Sequence, residues 1–169
     1  AVMGLLISRD QILVALMLML QFRTYIRPGV FDRLLVSQLI PPTPQAGGAF
    51  VRWALNLYPS ELGIPGKTGT WEDSILLDSE PWLCPFLQIL SHQHPDLLLS
   101  PVSGTRLMSM FLNAVKELGL SPLRPVRYSL RHGGASDDIL TGRRSLLEVK
   151  RRGQWKTDAS LRRYGREAK

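Results

Sequence analysis

Residues 12–20 are apolar without a break, so no polar face shows at the helical period of 3.6 residues. Such a run predicts a core helix buried on all sides, spanning residues 11–23, with Asp10 as its N-cap and the Arg27-Pro28-Gly29 break beyond its end. A second helix is expected over residues 30–38. Three prolines and two glycines between positions 41 and 48 then mark a loop. Residues 50–58 and 73–77 have strand character, and Gly63, Pro65, Gly66 and Gly69 lie between them, so a small antiparallel hairpin is expected with Lys67 near its tip. Further helices are predicted over residues 81–90, 104–118, 136–140 and 144–151, with Ser103, Ser136 and Thr141 as starting signals. No internal repeat is visible. The sum is an α+β chain, mainly helical.

The chain has 169 residues, 44% of them hydrophobic, which suits one compact domain over residues 1–169 able to bury roughly 70% of its unfolded surface. The nine-residue apolar run is well short of the roughly 18 to 20 residues of a bilayer span, so no transmembrane helix is expected. A signal peptide fits badly, because no basic residue precedes the apolar start and Arg9-Asp10 interrupts it. The abrupt apolar beginning, without Met at position 1, suggests that something upstream is absent. Cys84 is the one cysteine, so an internal disulfide is excluded.

Charge changes the picture more than composition does. The net charge is +7, and it is unevenly spread: residues 1–119 carry 8 Lys or Arg against 9 Asp or Glu, whereas residues 120–169 carry 13 against 5. A polyanion is the partner this asymmetry favours, with affinity gained by releasing counterions from phosphates. Membrane binding would want these charges on one helix face opposite large apolar residues. Instead Arg143, Arg144, Lys150, Arg151, Arg152, Arg162, Arg163 and Arg166 fall in clusters separated by Gly142 and Gly153.

Several apparent motifs carry no chemistry. Gly63-Ile64-Pro65-Gly66-Lys67-Thr68 looks like a phosphate-binding loop, but the glycine that loop needs at position 61 is Glu61, and no helix follows. His92 and His94 lie beside Pro95 without a nearby cysteine and read as exposed loop histidines, not zinc ligands. Adjacent Asp137 and Asp138 point about 100° apart on a helix, so a shared proton is not expected; both read as helix-start acids facing the dipole.

The basic carboxyl-terminal segment is different. It contains Tyr128-Ser129-Leu130-Arg131-His132, then Gly153-Gln154-Trp155, then Arg162-Arg163-Tyr164. These residues, in that order, resemble the signature of the tyrosine recombinase (phage integrase-like) catalytic domain. That signature has His-x-x-Arg followed by His, an aromatic or His after a glycine about two dozen residues on, and a nucleophilic Tyr nine residues later. Upstream, Thr24-Tyr25-Ile26-Arg27 resembles the family's Thr-Gly-Leu-Arg, and Lys67 follows Gly66 on the expected hairpin, where the family carries a lysine. The resemblance runs from about Gln11 to Arg166. Its wording is closest to recombinases of eukaryotic mobile elements such as DIRS-type retrotransposons.

The resemblance implies the tyrosine recombinase catalytic-domain fold, without the N-terminal core-binding domain. It also implies site-specific recombination and integration of double-stranded DNA through a 3′-phosphotyrosyl intermediate, with no cofactor, metal or ATP. Arg27 and Arg131 would clamp the phosphate, Lys67 would protonate the leaving oxygen, Trp155 would donate its indole N–H, and Tyr164 would attack. Tyr128 replaces the usual His three residues before the second arginine, and Val30 replaces an acid three after the first. A homotetramer on DNA and an intracellular, in a eukaryote nuclear, location follow from the same resemblance. The alternative is a DNA-binding remnant of a mobile-element recombinase that has lost catalysis.

Overall fold

The computed structural model describes residues 1–47, 51–58, 63, 74–78 and 81–157. The fold is mixed α and β, mainly helical, with one small antiparallel sheet. No helix among the described residues is long and apolar enough to cross a membrane. The chain divides into two compact units, one formed by residues 1–31 and 102–169, the other by residues 32–101.

The first unit is helical: α1 (Val2–Ser8), α2 (Ile12–Thr24), α3 (Pro28–Phe31), α5 (Gly104–Glu117), α6 (Ser129–Leu140) and α7 (Leu146–Arg152). Helix α2 packs against α1, α5 and α6, and α6 packs against α7. Its uninterrupted apolar run explains that central place: Val14, Ala15, Met17, Leu18 and Leu20 are all buried, while Ile12 and Leu13 are about half exposed at its first turn. Asp10 does not cap α2. It sits in a left-handed turn (φ 58°) that links α1 to α2, and the N-cap is Gln11, with no side-chain bond. At α5 the expected cap is present, Ser103 accepting from the Arg106 N–H at 3.3 Å.

Helix α6 starts at Ser129, seven residues before the Ser136 that the sequence suggests. The Gly133-Gly134 pair does not break it. Gly134 lies where α6 crosses α2, so close that a Cβ there would overlap the Phe22 carbonyl oxygen. Helix α7 begins after Ser145, not near Thr141: Ser145 and Glu148 form a reciprocal capping box, the Glu148 carboxylate accepting from the Ser145 N–H at 2.7 Å.

The second unit holds β1 (Leu39–Ile40), β2 (Trp53–Asn56), β3 (Ser74–Leu77) and α4 (Cys84–Ser91). The expected hairpin is β2–β3, in antiparallel register Trp53↔Leu77 to Asn56↔Ser74, and β1 adds a third strand on the other edge of β2. The helix expected over residues 30–38 is not formed. Its place is taken by short α3, an extended stretch bridging Leu35 to Leu98, and a 3-10 turn at Val36–Gln38 that leads into β1. The buried Gln38 amide donates to the Asn56 carbonyl at 2.7 Å, tying that turn to the sheet.

Candidate functional site

The site is built around the end of α2. Thr24 Oγ1 donates back to the Leu20 carbonyl at 2.7 Å, and Tyr25 then takes a left-handed conformation (φ 54°, ψ 23°) that stops the helix. For an aromatic residue that backbone costs about 1–2 kcal/mol, which neighbouring contacts have to offset. Tyr25 is fully buried, its ring in a cluster with Ala135 and Val149, and its phenol donates to the Asp138 carboxylate. Burial first, and then the Asp138 carboxylate, hold the phenol well above the ordinary tyrosine range, so it remains a donor.

Arg131, 3% exposed, is the next part. Its two terminal nitrogens donate to the Tyr25 and Gly153 carbonyls, and its guanidinium lies over the Trp155 ring at 4.2 Å. Trp155 is delivered there by the end of α7. Gln154 adopts a left-handed backbone (φ 54°), the Trp155 N–H returns to the Lys150 carbonyl at 3.0 Å and the Gln154 N–H to that of Arg151 at 3.0 Å. This Schellman turn uses the extra residue between Gly153 and Trp155 to fold the indole back over Gly153, where a Cβ would collide with the ring.

Arg27 follows Tyr25 by two residues, its carbonyl accepting the Val30 and Phe31 N–H groups that open α3. Its half-buried side chain has no hydrogen-bond or ion-pair partner among the described residues. A second buried arginine, Arg127, donates through Nε to Gln21 at 2.7 Å and stacks over Phe31 at 5.6 Å, while Gln21 donates to the Ile26 carbonyl at 3.2 Å. The residues around Arg27 are thereby held from both sides. Tyr128 stands at the N-cap position of α6 without a side-chain capping bond, is 40% exposed, and has its ring 4.9 Å from that of His132.

Arg27, Tyr128, Arg131 and Trp155 thus belong to one compact unit, and Arg131 touches Trp155 directly. Lys67 and Tyr164 lie outside the described residues. Residues with no role in the site expected from the sequence complete the arrangement: Gln21, Tyr25 and Asp138. Asp137 and Asp138 are not helix-start acids. They lie in the last turn of α6, Asp138 being 2% exposed and paired with Arg143 at 2.8 Å and Arg144 at 3.0 Å, while Asp137 pairs with Arg23 at 2.6 Å. Two arginines of the basic segment therefore serve as internal counterions rather than as a solvated face.

Burial and then the charge of Arg131 push the His132 imidazole below its ordinary value of 6.5. The unfolded chain therefore binds this proton more readily than the folded one, and stability is lost as pH falls below about 6.5, until the folded protein's own lower value is passed. Urea midpoints measured from pH 7.5 to pH 5 are expected to fall more steeply for the wild type than for His132→Gln. Parallel curves would refute this role for His132.

No protein-family model matches the chain, and neither a curated protein nor a solved structure matches it.

Proposed function

We propose that the chain is the catalytic domain of a tyrosine recombinase and that it cleaves and rejoins double-stranded DNA. The observation that carries this reading is the contact made by Arg131: it lies on Trp155 and donates to the carbonyl two residues before Arg27. Two residues that the resemblance assigns to one phosphate are thus in contact, and one of them is bonded to the backbone two residues before the third. A second support is the turn itself. Tyr25 holds left-handed backbone at the position where the Thr-Gly-Leu-Arg pattern has glycine, the residue for which that conformation is free of strain.

In the proposed reaction the Tyr164 hydroxyl passes its proton to water as its oxygen attacks the phosphorus. The bond to the 5′-oxygen breaks, that oxygen takes a proton from Lys67, and the 3′-phosphate stays on Tyr164. The 5′-hydroxyl of another strand reverses the step, so the energy of the ester is kept and neither ATP nor a metal is called for. Arg27 and Arg131 meet the charge that builds on the non-bridging oxygens, because guanidinium forks match phosphate and stay charged at every working pH. Trp155 fills space beside Arg131 and offers an N–H, with no proton to exchange.

One observation favours the competing reading, a DNA-binding module without catalysis. Arg131 is almost fully buried and bonded to two backbone carbonyls, and Tyr128 stands where a proton-handling His is usual. Trapping on nicked suicide duplex DNA separates the two. The wild type is expected to give an SDS-resistant protein–DNA adduct, and Tyr164→Phe to lose it entirely while still binding the duplex. Binding without adduct in the wild type selects the inert module, and an adduct that survives Tyr164→Phe removes Tyr164 as nucleophile.

A further inference from the structure

The strain at Tyr25 has a specific counterweight. Its phenol reaches across to α6 and donates to Asp138, a carboxylate that Arg143 and Arg144 fix in place at 2.8 and 3.0 Å. Its ring packs with Ala135, Val149 and Trp155, the last at 6.2 Å between centroids, and carries the Arg152 guanidinium at 5.7 Å on its face. Arg152 in turn donates to the Arg23 carbonyl at 3.1 Å, two residues before Tyr25. The Tyr25 carbonyl faces Arg131, and the residue two further on is Arg27.

We propose that the bond from the Tyr25 phenol to Asp138 is a latch: it holds the left-handed turn in place, and through that turn it sets Arg131 against Trp155 and fixes the start of the segment that carries Arg27. Tyr25 and Asp138 are positioning residues. Neither meets a substrate, and their effect on DNA chemistry rests on the strand-cleavage reading above. A glycine at position 25 would accept the turn without a latch. A tyrosine there does not, and Asp138 supplies what the backbone lacks. The latch spans elements 113 residues apart in sequence, so it ties the first arginine's segment to the helix that bears the second.

Tyr25→Phe tests this in the full chain, because it keeps the ring and removes only the hydroxyl. Two readouts are taken together. The first is the signal of the Arg131 Nη–H protons in ¹⁵N NMR, assigned by its disappearance in Arg131→Lys; its exchange with water is expected to quicken roughly tenfold once the Tyr25 carbonyl is no longer held. The second is single-turnover adduct formation, expected to slow ten- to a hundredfold, roughly, with the Kd for duplex unchanged. Loss of fold stability alone would not split rate from affinity in that way. Asp138→Asn, which keeps an oxygen for the phenol, is expected to show smaller changes of the same kind, and it replaces Tyr25→Phe should that variant fail to fold. An Arg131 signal that is unmoved in the folded variant overturns the latch, whatever the protein does with DNA. A moved signal in a wild type that forms no adduct upholds the latch and removes the cleavage reading instead.

Discussion

Gly134→Ala is expected to lower the stability of the helical unit by about 3 kcal/mol or more, whereas Gly133→Ala, one residue away on the same helix, is expected to be close to neutral. Both changes gain helix propensity, about 1 kcal/mol for glycine to alanine inside a helix, so a difference between them reports contact alone. At position 134 the new Cβ would overlap the Phe22 carbonyl oxygen and come within 2.9 Å of the Phe22 carbonyl carbon and of the Tyr25 ring. Two of those three atoms are backbone inside α2, so relief requires that the helices move apart along their whole crossing. At position 133 the nearest atom is the edge of the Phe22 ring at 3.1 Å, which a small side-chain rotation relieves.

Opening that crossing would also pull α6 away from the carbonyl that Arg131 uses, so the loss is structural and functional together. Thermal unfolding provides the measurement: for a chain of this length 3 kcal/mol corresponds to roughly 6–12 °C in Tm. Equal melting temperatures for the two variants would mean that α2 and α6 do not cross as closely as described.

The same glycines show where the sequence was legible and where it was not. Periodicity and apolar runs located α2, α5, α4 and the β2–β3 hairpin to within a few residues, because each is set by local pattern and, at Ser103, by a side-chain cap. The helix expected from Ser136 in fact runs through Gly133-Gly134, although inside a helix glycine is costly unless something needs the space. What needs it is Phe22, 112 residues earlier, and no local signal announces that. Ser145-x-x-Glu148 is a local start signal for α7, stronger than Thr141 because both of its side chains bond to the helix start. Residues 30–38 have helical composition, yet Leu34 and Val36 bond instead to Leu99 and Leu97, a pairing settled by tertiary contact.

The candidate site divides in the same way. Arg131 and Trp155, which are in contact, and Arg27 were singled out by the family resemblance. Tyr25 and Asp138 were not, because a phenol and a carboxylate far apart in sequence become partners only once α2 and α6 have crossed. Read as adjacent helix-start acids, Asp137 and Asp138 gave no hint of Arg23, Arg143 and Arg144, which neutralise them.

Arg131→Ala is expected to destabilise the helical unit by about 3 kcal/mol, Arg131→Lys by about 1–2 kcal/mol, and both to abolish adduct formation. The alanine leaves the Tyr25 and Gly153 carbonyls without the donors they have now, at roughly 1–3 kcal/mol for each buried group left unmet, and it removes the cation from the Trp155 face. Lysine keeps the charge and can serve one carbonyl, but a single ammonium cannot span two acceptors in different segments as the planar fork does. The bridge joins the turn before Arg27 to the turn that places Trp155, so its loss separates the parts of the site even where the fold survives. That separates structure from chemistry in the lysine variant: urea unfolding would show most of the stability retained, while on the proposed strand-cleavage reading the adduct would be gone, because a lysine cannot replace the guanidinium fork at a phosphate. Should Arg131→Lys unfold at the wild-type urea midpoint, the carbonyl bond that lysine cannot keep would be shown to contribute nothing. Should it also form adduct at the wild-type rate, Arg131 would have no place in the reaction, and the basic segment would have to bind DNA by other residues.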